Sequence, residues 1–232
     1  MSAAPSSAER EQFNRHNVIA ETTIEFAKLE TVLQDAFKTD ATFLNAEAER
    51  IGVMQGFLSR IVRVHIEWSE PTTKARDGEG ERRSPPESVV LKVPSTKNFD
   101  DFAEGVESLK DVDAETNRHI MMSKVEKVHN SECAFYRFAA GQESRLRTPH
   151  VYYIEEADPE KKQAGLMVME DFSDRGYVRN FWDFAELPLL KELASVLAAL
   201  HALTLHERSW LDNPNLKSTI ATLYENAPEP EQ

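Results

Sequence analysis

Residues 60 to 68 alternate between apolar and polar positions. Val62, Val64, Ile66 and Trp68 fall on one side, and Arg63, His65 and Glu67 on the other. A period of two predicts a half-buried antiparallel strand. The apolar run Val89-Val90-Leu91-Lys92-Val93 predicts a strand over 88–94, and two more are expected at 151–155 and 166–170. The connector 156–165 contains Asp158-Pro159 and ends in Gly165, which makes the last two strands a hairpin. Helical spacing appears at Leu29, Val32, Leu33, Ala36 and Phe37, just after Thr22-Thr23-Ile24-Glu25, which spells a capping box. A long helix is expected over about 115–140, with Glu132, Phe135, Tyr136 and Ala139 at i, i+3, i+4 and i+7. Pro188 opens a further helix bearing Leu189, Leu190, Leu193, Val196, Leu197, Leu200 and Leu203. The order helix, two strands, helix, two strands predicts an α+β fold, an antiparallel sheet with a helix packed on it.

The connections are polar. Residues 1–20 are rich in Ser, Ala and Glu without an apolar period and are expected to be disordered. The stretch 69–88 contains Pro71, Gly78, Gly80, Pro85 and Pro86, so a long connection interrupts a hairpin between the strands at 60–68 and 88–94. Residues 97–113 are acidic and irregular, and the Pro/Glu-rich 225–232 is expected to fray.

Composition narrows the partners. The chain has 232 residues, with 27 Lys and Arg against 40 Asp and Glu, a formal charge of −13. That balance argues against nucleic acid or an anionic membrane, since either needs a basic face. One cysteine, Cys133, excludes an internal disulfide and fits a reducing, cytoplasmic setting. It lies among Phe135, Tyr136 and Phe138, as a small buried side chain would. Residues 1–8 have no apolar core of the kind a secretion signal needs. The apolar stretch 187–205 is interrupted by Lys191 and Glu192 and is expected to be a helix with one apolar face, not a membrane span.

The candidate chemistry is phosphate binding. A lysine projecting from a sheet supplies a point charge to a triphosphate, and a helix carboxylate can hold that lysine in place. Lys92 and Glu132 have the order and elements for such a pair, and Lys92 lies on the strand face opposite Val89, Leu91 and Val93. A solvated edge lysine and a surface glutamate would be spelled the same way. Gly52 and Gly56 precede a strand, where backbone N–H groups could approach phosphates, and Ser59 could add a hydroxyl. The spacing is not Gly-x-Gly-x-x-Gly, and an ordinary turn explains it equally well. Glu170, Asp171 and Phe172 end the last strand before the leucine-rich helix. They could form a connector whose backbone binds a ligand edge, or Asp171 and Ser173 could simply close a turn. His201 reads as a structural histidine. Scattered histidines and one cysteine give no zinc pattern, and there is no Gly-x-Ser-x-Gly elbow or Gly-x-x-x-x-Gly-Lys-Ser/Thr loop.

Several segments resemble the CHK kinase-like family of nematodes and insects, relatives of ecdysteroid 22-kinases, choline kinases and aminoglycoside phosphotransferases. They are Gly56-Phe57-Leu58-Ser59-Arg60-Ile61, Leu91-Lys92-Val93-Pro94, His129-Asn130 through Glu132 with Phe135-Tyr136, Thr148-Pro149, Met169-Glu170-Asp171-Phe172, and Ala198-Ala199-Leu200-His201-Ala202. The resemblance implies a protein-kinase-like fold, ATP with magnesium, and a small hydroxylated acceptor. It assigns Lys92 to the phosphates, Glu132 to anchoring Lys92, and Glu170-Asp171-Phe172 to the hinge between lobes. On that basis 1–20 is a disordered N-terminus, 21–171 a kinase-like N-lobe, and 172–232 the hinge and start of a helical C-lobe.

The departure lies downstream. The family places a His-Gly-Asp-x-x-x-x-Asn loop and a magnesium-binding aspartate after the Leu-His-Ala helix, and no His-Gly-Asp occurs in this sequence. Without a base or metal ligands, attack on the γ-phosphate has nothing to run it. The expectation is a truncated small-molecule phosphotransferase with no catalytic residue and no metal ligand, inactive or very weak. A non-catalytic nucleotide-binding or regulatory protein is the alternative, and an α+β domain with no nucleotide role a third. The leucine-rich stripe over 189–203 would need a packing partner, either the missing lobe or another protein.

Overall fold

The computed structural model describes residues 13–52, 58–72, 84–97, 114–140, 146, 148–176 and 183–217, the side chains of 114–120 and 217 excepted. The expected disorder of 1–12, Gly56, most of the 69–88 connection, the acidic 98–113 and the frayed 225–232 therefore lie outside the described residues. The elements run α1 (Phe26–Phe37), β1 (Phe43–Ile51), β2 (Ser59–Trp68), β3 (Ser88–Pro94), α2 (Ala114–Ala140), β4 (Val151–Asp158), β5 (Gln163–Glu170) and α3 (Leu187–His206). A short 3₁₀ turn (Ser209–Asp212) and a four-residue α4 (Pro214–Lys217) follow. The strands form one antiparallel sheet in the order β1-β2-β3-β5-β4. The fold is α+β and compatible with a kinase-like N-lobe.

The two sheet faces have different partners. Val62, Val64, Ile66, Val89, Leu91, Val93, Leu166 and Val168 bury on one face against Leu29, Val32 and Leu33 of α1, an area large enough to supply most of the folding drive. The alternation read at 60–68 and the helical spacing read at 29–37 are the two sides of this core. The segment before α1 joins it: Ile19 and Ile24 are buried, and the Phe13 ring packs edge-on against Phe26 at 5.4 Å. Residues 13–20, expected to be disordered, are thus anchored, because two apolar side chains outweigh the polar composition around them.

Three local expectations change. Thr22 does not form a capping box: its hydroxyl donates to Ile19 O (2.7 Å) and accepts from Ile24 N (3.1 Å), closing a turn one residue before the N-cap, Glu25. β2 and β3 pair despite the long connection between them, Arg63 opposite Val90, because loop length costs little closure entropy. β1 is a fifth strand where none was expected. Its spelling, Phe-Leu-Asn-Ala-Glu-Ala-Glu-Arg-Ile, is rich in the helix formers Ala and Glu, and a register shift between Phe43 and Asn45 breaks its alternation.

α3 forms where its leucine spacing predicts, yet Leu187, Leu189, Leu190, Leu193, Val196 and Leu197 are all exposed. Of the described helices it alone is long and apolar enough to cross a membrane by length and composition, with Lys191 and Glu192 within it.

Candidate nucleotide site

The second face of the sheet is defined by register. Ile61 lies opposite Lys92 and Arg63 opposite Val90 across β2 and β3. Lys92 lies opposite Met167 and Val90 opposite Met169 across β3 and β5. Directly opposed residues share a face, so Ile61, Val90, Met167 and Met169 form an apolar strip beside Lys92. Met167 is fully buried. Sequence reasoning missed this strip, although the alternation that placed Lys92 opposite Val89, Leu91 and Val93 already implied it.

Lys92 and Glu132, separated by forty residues in the chain, meet at 2.5 Å between Nζ and Oε1. Their side chains are 22% and 36% exposed, so the pair lies at the edge of the protein and contributes little to stability. Its consequence is positional. An ammonium carries three donors, and the bond to Glu132 accounts for one. A fixed cation beside an apolar strip is suited to an anionic ligand carrying a flat apolar group.

The two ends of the site are set by β3. Ile51 pairs with Ile61 where β1 ends, and Ser59 pairs with Pro94 at the Lys92 end of the sheet. Gly52, just after β1, has φ +64°, a conformation that favours glycine. Gly56 lies outside the described residues. At the other end Glu170 pairs with Val89, three residues from Lys92 or roughly 10 Å along a strand.

Phe172, Glu170 and Asp171 are held by the protein itself. Asp171 accepts from Ser88 Oγ (2.6 Å) and Arg63 Nε (2.9 Å), while its other oxygen accepts from the Ser173 amide (3.0 Å). Glu170 pairs with Arg175 and accepts from His150 N. The Arg175 guanidinium sits 4.5 Å over the Phe172 ring. Asp171 thus ties the connector to the sheet, and two of the connector's backbone groups are taken up as well: Glu170 N donates to His150 O (2.9 Å), and Phe172 O accepts from the amides of Arg175 (3.0 Å) and Gly176 (2.7 Å). Arg63 was not anticipated as a site residue, since its role depends on a carboxylate 108 positions away.

Burial pushes the Asp171 carboxyl up, but hydrogen bonds from Ser88 and Ser173 and the charge of Arg63 outweigh it and leave the pKa below its usual value. A depressed carboxyl contributes stability above the unfolded pKa, near 3.9, and loses it as pH falls through the folded value. Asp171→Asn is expected to cost about 1–3 kcal/mol at pH 7. In urea unfolding the gap between the two proteins should shrink at pH 3, and a gap unchanged by pH would refute the assignment.

α2 meets the sheet through the line Val125, His129 and Cys133, all buried, one position round from the Glu132-Phe135-Tyr136-Ala139 face expected from sequence. Cys133 is a buried thiol whose pKa burial pushes up to about 12, so it is inert. His129 Nε2 lies 2.9 Å from Glu155 O. A carbonyl only accepts, so the proton sits on Nε2, and Nδ1 is a buried acceptor without a partner among the described residues. Burial lowers the pKa of this imidazole, because a second proton would place a charge where nothing receives it. The unfolded chain binds that proton below about pH 6.5 and the folded chain does not. Stability should therefore fall by up to ~1.4 kcal/mol per pH unit below 6.5 until the folded pKa is reached. His129→Gln should flatten this slope in unfolding titrations from pH 7 to 5; an unchanged slope would place the proton elsewhere.

Among the described residues no group of three His, Cys, Asp or Glu side chains is placed to hold a metal ion. A family model, DUF1679, described as "Uncharacterized oxidoreductase dhs-27", matches residues 14–229. No curated protein and no solved structure matches the chain in the corresponding comparisons.

Proposed function

From a chain that belongs to the DUF1679 family, we propose a kinase-like nucleotide-binding protein in which Lys92 contacts the phosphates of ATP and Glu132 holds Lys92 in place. The observation that carries this reading is the 2.5 Å Lys92–Glu132 pair between β3 and α2. Order along the chain, the strip Ile61, Val90, Met167 and Met169, and the connector 170–172 about one nucleoside length away support it. The base would lie against Ile61 and Met169, the part of the strip that reaches solvent, with the triphosphate at Lys92.

Binding is as far as this sequence takes the reaction. With no His-Gly-Asp motif in these residues, no side chain here stands as the base, and the chain would hold nucleotide without transferring phosphate by itself. A cytosolic setting goes with ATP as ligand and with the single, inert Cys133.

The family description names an oxidoreductase, which gives the second reading. Nicotinamide-dinucleotide sites are built on parallel strands joined by crossover helices, with a Gly-x-Gly-x-x-Gly turn. Every described strand pair here is antiparallel, and the sequence has no such turn. Calorimetric titration of the full chain with ATP and, separately, NADPH decides between them. Saturable binding of ATP with none of NADPH is expected. NADPH binding, or silence with both, would overturn the proposal.

A further inference from the structure

Two consecutive side chains of α2 bind the free edge of the sheet. The Asn130 carboxamide donates to Ala157 O (3.0 Å) and accepts from Ala157 N (2.8 Å). His129 donates to Glu155 O (2.9 Å). β4 is an edge strand, so residues 155 and 157, two apart and therefore facing the same way, would otherwise present unpaired backbone groups. The carboxamide satisfies both groups of Ala157 as a neighbouring strand would. The seat is completed by Gly165, where an added Cβ would lie 2.7 Å from His129 Nε2 and 3.1 Å from Pro94 Cγ. Only glycine lets the imidazole come down onto the β4–β5 hairpin.

We propose that Asn130, with His129 seated on Gly165, is a latch that fixes the rotation and height of α2 so that Glu132 meets Lys92. This deepens the nucleotide reading and rests on it. A pair of antiparallel hydrogen bonds to one residue tolerates neither slip nor rotation, and a slip of one residue turns a helix by about 100°. Glu132 lies one turn on from His129, at i+3, and its side chain is 36% exposed, so packing alone does not hold it against Lys92. The latch supplies that constraint from the far side of the helix. Asn130 is accordingly a positioning residue.

The test is a double-mutant cycle on the full chain: Asn130→Ala, Glu132→Gln and both together. ATP Kd is measured by calorimetry, and the Lys92 acylation rate by peptide mass spectrometry, with exposed Lys161 as internal reference. Asn130→Ala should weaken ATP about tenfold, after which Glu132→Gln adds less than about twofold, since its interaction is already lost. Without any nucleotide, Lys92 acylation should rise severalfold relative to Lys161. Should the alanine variant fail to fold by circular dichroism, Asn130→Asp keeps the acceptor toward Ala157 N and takes the same readouts. A wild-type Lys92 acylation rate in the latch variant, or a full-size Glu132→Gln effect in its background, overturns the proposal. If the unmodified chain binds no ATP, the nucleotide reading falls and the acylation rates alone judge the latch.

Discussion

Replacing Lys92 with alanine is expected to erase most of the thermal stabilisation that ATP gives the unmodified chain. At a hundred times Kd a ligand adds about 2.7 kcal/mol. For a chain of this size that is a rise of roughly 5–10 °C in Tm, at about 2–4 °C per kcal/mol. If Lys92→Ala raises Kd a hundredfold, the same ATP concentration equals Kd and adds only about 0.4 kcal/mol. The residual rise would be about 1–2 °C. The substitution itself should change stability without ligand by less than about 1 kcal/mol, because Lys92 and the Glu132 left behind both reach water. This separation makes the measurement decisive: ligand response is lost while the unliganded melting curve stays in place. An ATP-induced rise of undiminished size in Lys92→Ala would remove the cation from the site.

The second large effect is structural. Gly165→Ala should destabilise the protein by about 2–5 kcal/mol, lowering Tm by roughly 4–20 °C. Two costs combine there. Gly165 has φ +83°, where a Cβ costs about 1–2 kcal/mol. The new methyl would also meet the buried His129 ring at 2.7 and 2.8 Å, and overpacking of this kind costs typically about 1–3 kcal/mol. The ring cannot swing clear without giving up its bond to Glu155 O. Gly52 provides the comparison, with φ +64° but nothing within 4 Å of an added Cβ. Gly52→Ala should therefore show only the conformational cost, about 1–2 kcal/mol. Equal losses at the two glycines in denaturant unfolding would mean that the contact with His129 has no energetic consequence.

Residue pattern made much of this architecture legible. β2 and β3 announced themselves through alternation and an apolar run, the β4–β5 hairpin through Asp158-Pro159 and Gly165, and α1 and α3 through leucine and valine spacing. β1 did not, because Ala46, Glu47, Ala48 and Glu49 favour a helix in isolation. It is a strand because the outer edge of β2 offers hydrogen bonds and a place to bury Phe43 and Ala46, a tertiary gain that overrides propensity. The Thr22–Glu25 pattern failed for a related reason. Ile19 and Ile24 are drawn into the core and turn the chain before the helix begins, so Thr22 serves that turn.

Among the candidate site residues, identity and location divide in the same way. The strand alternation alone put Lys92 on the face away from the α1 core. It could not say that Arg63 and Ser88 take up the Asp171 carboxylate, or that His129 and Asn130, visible only as a motif, bind the edge of β4. Each of those contacts joins residues 26 or more positions apart.

Apart from β1, local sequence determined which segments are strands and helices and which way their side chains alternate, because those follow from φ/ψ preferences and the burial of one face. Tertiary structure decided which of those side chains meet. A salt bridge between Lys92 and Glu132 requires α2 to stop at one height and one rotation on the sheet. Those two quantities are fixed by Ala157, Glu155 and Gly165 on a hairpin that begins more than ten residues after α2 ends.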